Sequence, residues 1–205
     1  MVKVKICGIT NLEDALVSVR AGCDALGFAF FRKSPRYVSP KKVSGIVKQV
    51  PPRIIKIGVF VNAREEAVKR IARMCRLDML QFHGTETPEY CSKFADYKVI
   101  KVFRVKDKLD LREVLRYKPF AYLFDTFVKS RMGGTGKNFD WELIRHLRGV
   151  KNPVFLSGGL TAGNVKKAIS IAKPRWVDVC SSIELIPGKK DHVLVRQFIE
   201  TAKGR

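Results

Sequence analysis

The chain has 205 residues, of which 46% are apolar and 10% aromatic, and this ordinary globular composition excludes a disordered or fibrous protein. Its 40 Lys and Arg residues against 19 Asp and Glu residues give a formal net charge of +21, which raises nucleic acid or an anionic surface as a partner. Five scattered cysteines without a CxxC pair exclude a disulfide framework and a CxxC-type zinc module, and they predict a reduced, cytoplasmic setting.

No apolar run approaches the roughly 20 residues that cross a bilayer, so no membrane partner is expected. The first residues lead directly into an alternating strand pattern and show no apolar core of a signal peptide.

Eight short apolar runs rich in Val, Ile and Phe recur along the chain. Most are continuous rather than alternating, which is typical of parallel strands buried on both faces. They occupy residues 2–7, 25–30, 54–61, 79–83, 99–105, 121–125, 154–157 and 176–181.

Amphipathic segments with helical spacing lie between these runs, at residues 11–21, 64–75, 110–117 and 163–172. Helix starts are marked at Thr10 or Asn11, at Ser39 before a proline, and at Thr87 before another.

Eight strands alternating with helices predict one (βα)8 barrel, an α/β fold in which residues 1–205 form a single catalytic domain. Each unit then has roughly 26 residues, which is near the lower end for this barrel. An open doubly wound sheet is the alternative, but eight parallel strands in so short a chain favour closure. In such a barrel the chemistry lies at the carboxyl ends of the strands.

Reactive side chains stand at these predicted strand ends. Cys7 follows the first strand, and it is either a small core residue or an exposed thiol at the barrel mouth. Asp125 closes a buried strand, where a carboxylate either caps the following loop or has a chemical task. His83 is more readily a hydrogen-bonded polar group than a metal ligand, because no second ligand has suitable spacing, and no metal is expected.

Two loops rich in Gly and Ser follow the seventh and eighth strands, Ser157-Gly158-Gly159 and Cys180-Ser181-Ser182. Backbone N–H groups in such loops bind phosphate in many barrels, although Gly158-Gly159 alone would also suit a tight turn. The segment 133–137 lacks P-loop spacing and is predicted to be a loop over the barrel mouth. The basic segment 32–37 could contact RNA, bind a small anionic substrate or be a solvated loop.

An ordered set of motifs resembles the phosphoribosylanthranilate isomerase family along essentially the whole chain. The opening hexapeptide, residues 5–10, carries the most specific part of the resemblance. The set continues at Gly27-Phe28, 34–37, 58–62, 81–84, Asp125, 133–136, 139–141, 156–160, Asn164-Val165 and 187–191.

The resemblance implies an Amadori rearrangement of N-(5-phosphoribosyl)anthranilate in tryptophan biosynthesis. It implies Cys7 as the general base that removes the ribose C2 proton and Asp125 as the general acid that opens the sugar ring. Arg36 would bind the anthranilate carboxylate, and the residues from the two loops would bind the phosphate. Asp178 and His83 would have supporting roles. The expected partner is this phosphosugar, without a cofactor, and the expected state is a monomer or homodimer.

One position departs from the family pattern, because Cys180 stands where Ser or Asn is common. We expect weaker phosphate binding from this change and, since the eighth strand closes against the first, oxidative pairing with Cys7 as a hypothesis. Two other readings stay open. One is another phosphosugar barrel, such as a histidine-pathway isomerase or an indoleglycerol-phosphate synthase. The other is a basic nucleic-acid-binding protein.

Overall fold

Eight parallel strands close into a barrel in the computed structural model, which describes residues 1–105, 110–126, 141 and 151–205. The strands are β1 Lys3–Ile6, β2 Ala25–Ala29, β3 Ile55–Phe60, β4 Met79–Phe82, β5 Lys98–Val105, β6 Ala121–Thr126, β7 Val154–Ser157 and β8 Trp176–Val179. Each strand pairs with the next, and β8 pairs with β1 to complete the ring. The predicted (βα)8 barrel is confirmed. The open sheet is wrong, because β1 and β8 are hydrogen-bonded along their length and leave no free edges.

Helices follow most of the strands. They are α1 Leu12–Ala21, α2 Pro40–Val47, α3 Glu65–Met74, α4 Pro88–Ser92, α5 Leu111–Arg116, α6 Val165–Ala172 and α7 His192–Lys203. The predicted starts are confirmed, since the side chains of Asn11, Ser39 and Thr87 each accept a hydrogen bond from a backbone N–H of the first turn. Across the described ranges, none of the helices has the length and apolar character needed to cross a bilayer. The predicted glycine-rich loop at 133–137 lies outside the described residues.

A short antiparallel hairpin stands between β8 and α7. Its strands are β9 Glu184–Ile186 and β10 Lys189–Lys190, and a 3₁₀ turn at Ser181–Ile183 precedes it. The sequence pattern does not predict this hairpin, because strands of three and two residues are too short to show a period.

The barrel interior is apolar near the amino-terminal ends of the strands and polar nearer their carboxyl ends. Residues two apart on a strand point to the same side, so they share the interior. The apolar interior cluster contains Ala25, Ile57, Met79, Ile100, Val102, Ala121, Leu123, Phe155 and Trp176. Lys5, Gln81 and Asp178 lie one step closer to the carboxyl ends and are almost fully buried. Within the described ranges, Gln81 Oε1 has no hydrogen-bond partner.

A buried ion pair holds the loops that follow β3 and β4. Lys101 Nζ donates to Glu86 Oε2 at 2.8 Å, and the two side chains are only 3% and 2% exposed. Glu86 also accepts hydrogen bonds from the backbone N–H groups of Asn62 and Gly84. One carboxylate therefore ties two loops together and fixes the backbone immediately after His83.

We expect Glu86→Gln to lower the free energy of unfolding by about 3–5 kcal/mol, because it leaves the Lys101 ammonium buried without its counter-charge. Urea unfolding measures the change. Glu65→Gln, which removes a partly exposed carboxylate paired with Lys69 and Lys93, is the matched control and should have little effect. Equal stability of the two variants would contradict the prediction.

Candidate active site

The carboxyl ends of the parallel strands bring the predicted site residues to one end of the barrel. Cys7 follows β1, His83 follows β4, Asp125 lies in β6 and Ser157 ends β7. All four are partly exposed, whereas the residue directly before each of them is buried. They therefore line an opening at the end of the barrel where this fold places its chemistry.

Lys5 and Asp178 form a buried ion pair directly below this opening. Lys5 Nζ lies 2.8 Å from Asp178 Oδ1, and the two side chains are 0% and 5% exposed. Burial raises the pKa of Asp178 to about 6, although the Lys5 ammonium opposes the rise. Burial would lower the pKa of Lys5, but the carboxylate of Asp178 and the thiolate of Cys7 together hold it above its ordinary value. In both groups the effect of burial is therefore opposed by the close ion pair.

Cys7 lies within a set of groups that favour its thiolate. A hydrogen bond from the Cys180 thiol lowers the pKa of Cys7 most, and the Lys5 ammonium adds to this against the opposing effect of burial. The pKa of Cys180 moves the other way, well above its ordinary value, because its proton is held in that hydrogen bond and because it is buried. Within the pair, Cys7 is therefore the cysteine whose ionisation is favoured.

Two glycines make room for this arrangement. A Cβ on Gly27 would lie 2.9 Å from Cys7 Sγ and 3.1 Å from Lys5 Nζ. A Cβ on Gly8 would lie 2.8 Å from Arg36 Cδ and 2.9 Å from Cys180 Sγ, and its φ of +75° also favours glycine. A side chain at Gly8 would therefore displace Arg36 and Cys180. One at Gly27 would displace Cys7 and Lys5.

Asp125 meets His83 on the other side of the opening. His83 Nε2 lies 3.2 Å from Asp125 Oδ2, and the side chains are 23% and 22% exposed. The strands β7 and β8 separate Asp125 from Cys7 around the ring. One side of the mouth therefore presents a thiolate and the other a carboxyl group held by an imidazole.

Arg36 reaches the mouth from the segment after β2 and pairs with Glu184 of the hairpin. Its Nε lies 3.0 Å from both carboxylate oxygens, and its Nη2 lies 2.6 Å from Oε2. Sequence reasoning selected Arg36 but not its partner.

The two Gly- and Ser-rich loops lie side by side. Gly158 and Gly159 both have positive φ, which places two successive peptide units in a conformation that suits glycine and can present N–H groups to an anion. The Ser182 hydroxyl donates to the carbonyl oxygen of Leu160 and so joins the two loops. The Cys180 thiol lies beside Cys7 and Gly8 rather than with these N–H groups.

The ionic residues around the site were the part that sequence reasoning missed. Lys5, Glu184 and Lys190 are buried or nearly so and contact predicted site residues or each other. One signal could have identified Lys5: it lies two positions before Cys7 on the same strand and therefore points to the same interior. As for metal binding, the ranges given above contain no group of three or more His, Cys, Asp or Glu side chains able to hold an ion.

Comparison with known proteins gives a consistent result. Residues 4–201 match the family described as N-(5′-phosphoribosyl)anthranilate (PRA) isomerase. The N-(5′-phosphoribosyl)anthranilate isomerase of Geobacter sulfurreducens is 47% identical over 204 residues and covers 100% of both chains. The crystal structure of phosphoribosyl anthranilate isomerase from Thermotoga maritima has a TM-score of 0.93 and 46% identity over 100% of both chains.

A further solved structure contains a ligand. It is a phosphoribosyl anthranilate isomerase in complex with reduced 1-(o-carboxyphenylamino)-1-deoxyribulose 5-phosphate. It has a TM-score of 0.87 and 42% identity, and the match covers 100% of both chains.

We expect hydrogen peroxide to join Cys7 and Cys180 in a disulfide. The peroxide converts the Cys7 thiolate to a sulfenic acid, and the Cys180 thiol then displaces its hydroxyl as water. Cys7 and Cys180 directly follow register partners on paired strands, which lie about 4.8 Å apart and within the Cα separation of disulfides. Peptide mass spectrometry should detect the bond, and dithiothreitol should remove it.

The other three cysteines serve as internal controls. Burial raises the pKa of Cys23 to about 12 and those of Cys75 and Cys91 to about 11, so their thiols should stay reduced. In Cys180→Ser the bond cannot form and Cys7 should proceed to higher oxides. An oxidised wild type without the Cys7–Cys180 bond would contradict the prediction.

Proposed function

The chain belongs to the N-(5′-phosphoribosyl)anthranilate isomerase family, enzymes of tryptophan biosynthesis, and from this premise we propose how its own residues perform the reaction. The reaction is the conversion of N-(5-phosphoribosyl)anthranilate to 1-(2-carboxyphenylamino)-1-deoxyribulose 5-phosphate. It needs an acid at the ring oxygen and a base at ribose C2. The observation that carries the proposal is the position of Cys7, beside the Lys5 ammonium and at a mouth that also contains the Asp125–His83 pair.

Asp125 is the proposed general acid. In its protonated form it would give a proton to the furanose ring oxygen, and the ring would open to a Schiff base between ribose C1 and the anthranilate nitrogen. His83 contacts Oδ2 of this carboxyl group at 3.2 Å and so restricts its rotation. A carboxyl group held in one orientation can meet the ring oxygen without further ordering.

Cys7 is the proposed general base. As a thiolate it would take the proton from C2 beside the iminium carbon, and the resulting enolamine would tautomerise to the ketose product. An ordinary cysteine is mostly protonated at neutral pH, whereas the Cys180 thiol and the Lys5 ammonium hold this one as a thiolate. The lowered pKa therefore prepares the base before substrate arrives.

The two charged ends of the substrate have separate proposed sites. The Arg36 guanidinium would bind the anthranilate carboxylate, for which its planar fork is suited. The backbone N–H groups of the loops Ser157–Gly159 and 180–182 would bind the phosphate. The Cys180 side chain is assigned to Cys7 rather than to the phosphate, because its thiol is hydrogen-bonded to Cys7. Asp178 has an indirect role, in which its carboxylate holds the Lys5 ammonium in place.

We expect Cys7→Ala and Asp125→Asn each to lower turnover by about 10²–10⁴-fold, because each removes one positioned proton-transfer group. The loss of fluorescence of the anthranilate adduct follows the reaction. Cys91→Ala and Asp96→Asn are matched controls, since both residues lie away from the barrel mouth, and both should keep wild-type rates.

Circular dichroism should show the barrel in all four variants. A Cys7→Ala or Asp125→Asn enzyme with turnover within tenfold of wild type would refute the role assigned to that residue.

A further inference from the structure

Glu184 binds Arg36 along one edge of the guanidinium group. The contacts use Nε at 3.0 Å and Nη2 at 2.6 Å, which together form the side edge of the planar group. Glu184 is only 3% exposed, whereas Arg36 is 23% exposed. The carboxylate therefore holds the arginine from the protein side.

The carboxylate of Glu184 is itself fixed. Lys190 Nζ lies 3.0 Å from Glu184 Oε1 and 3.1 Å from the carbonyl oxygen of Cys180, and the Lys190 side chain is fully buried. The backbone N–H of Gly188 donates to the same carboxylate oxygen at 3.2 Å. The backbone of Lys190 is anchored in turn, because its N–H donates to Asp14 of α1 at 2.9 Å. A chain of contacts thus connects the outer helix to the arginine at the mouth.

A guanidinium group has two edges that can pair with carboxylates. The side edge, Nε with Nη2, faces Glu184, so the end edge, Nη1 with Nη2, faces away from it. The aliphatic part of Arg36 passes over Gly8 beside the Cys180 thiol, and the guanidinium group is close enough to Cys180 and Cys7 to interact electrostatically with both. Glu184 thus contacts Nε and Nη2 but not Nη1, and this guanidinium group lies at the side of the opening that contains Cys7 and Cys180.

We propose that Glu184 is a positioning residue that orients Arg36 so that its end edge receives the carboxylate of the aromatic ring in the substrate. The inference rests on the proposed function, in which Arg36 binds that carboxylate. Glu184 does not touch the substrate. It acts by restricting a side chain with several rotatable bonds before binding occurs.

Two effects of Glu184 on an incoming carboxylate oppose each other. Its negative charge repels the ligand and offsets the positive charge of Arg36, whereas its contact with both Nε and Nη2 removes the cost of ordering the arginine. The fixed, buried position of the carboxylate and its three protein contacts favour the second effect. Ordering one such side chain corresponds to about a two- to tenfold change in affinity.

The test is the binding of two ligands to the intact protein, measured by calorimetry. One ligand is reduced 1-(o-carboxyphenylamino)-1-deoxyribulose 5-phosphate, and the other is the same molecule without the ring carboxylate. Glu184→Gln should weaken the first ligand by about two- to tenfold and leave the second unchanged. We measure binding rather than turnover, because Glu184→Gln also removes the counter-charge of Lys190. Lys190 affects the pKa of Cys7, so the variant would change the proposed base as well as Arg36.

Glu65→Gln is the matched control, since it changes the net charge by the same amount on an exposed helix start, and it should change neither affinity. Glu184→Asp keeps the charge but shortens the side chain, and it should also weaken only the carboxylated ligand. It replaces the Gln variant if thermal melting shows that Glu184→Gln does not fold.

Each outcome has a separate meaning. Unchanged or tighter binding of the carboxylated ligand to Glu184→Gln would overturn the inference, and so would equal weakening of both ligands, which a merely structural role predicts. Arg36→Met tests the proposed function by itself. If it weakens both ligands equally, Arg36 does not recognise the carboxylate, whatever Glu184 does.

Discussion

The ion pair between Lys5 and Asp178 is the interaction on which the barrel mouth depends. The two residues are register partners on the seam where β8 closes against β1. Removing two charges from water costs more than their attraction returns unless the contact is close and further hydrogen bonds are made. The 2.8 Å contact and the Ser157 hydroxyl on the second carboxylate oxygen meet that condition. The pair therefore fixes an ammonium group beneath Cys7, where it favours ionisation of the thiol and occupies the space that a Cβ on Gly27 would fill.

Pairing with a buried carboxylate recurs at the other buried lysines. The described part of this strongly basic chain therefore has few unpaired charges in its interior. In the ranges that the structure describes, every buried lysine faces a carboxylate. The pairs are Lys5–Asp178, Lys101–Glu86 and Lys190–Glu184. Such pairs add no net charge, so within the described ranges the excess of basic side chains lies at partly or fully exposed positions. A positive surface raises the encounter rate with an anionic substrate at low salt. The net charge therefore does not by itself indicate a nucleic-acid partner.

The sequence predicts the strands and helix starts well because both depend on local patterns. Short apolar runs, most of them continuous, mark all eight strands, and the caps at Asn11 and Thr87 follow from short-range hydrogen bonding. The ionic groups beneath and beside the site could not be predicted in the same way. Lys5 and Asp178 are 173 positions apart, and Glu184 pairs with a residue 148 positions away. No local period reports such contacts, and only closure of the barrel brings them together.

The most direct test of this central role is an ultraviolet titration of the Cys7 thiolate in wild type, Lys5→Met and Lys3→Met. Lys3 is the matched control, because it lies at the other end of β1, over the ring of Trp176. The wild type should titrate well below the ordinary pKa of a cysteine. Lys5→Met should raise the pKa of Cys7, since the thiolate loses its nearest buried cation, and Lys3→Met should not change it. A Lys5→Met protein that folds and titrates like wild type would contradict the role of the ion pair.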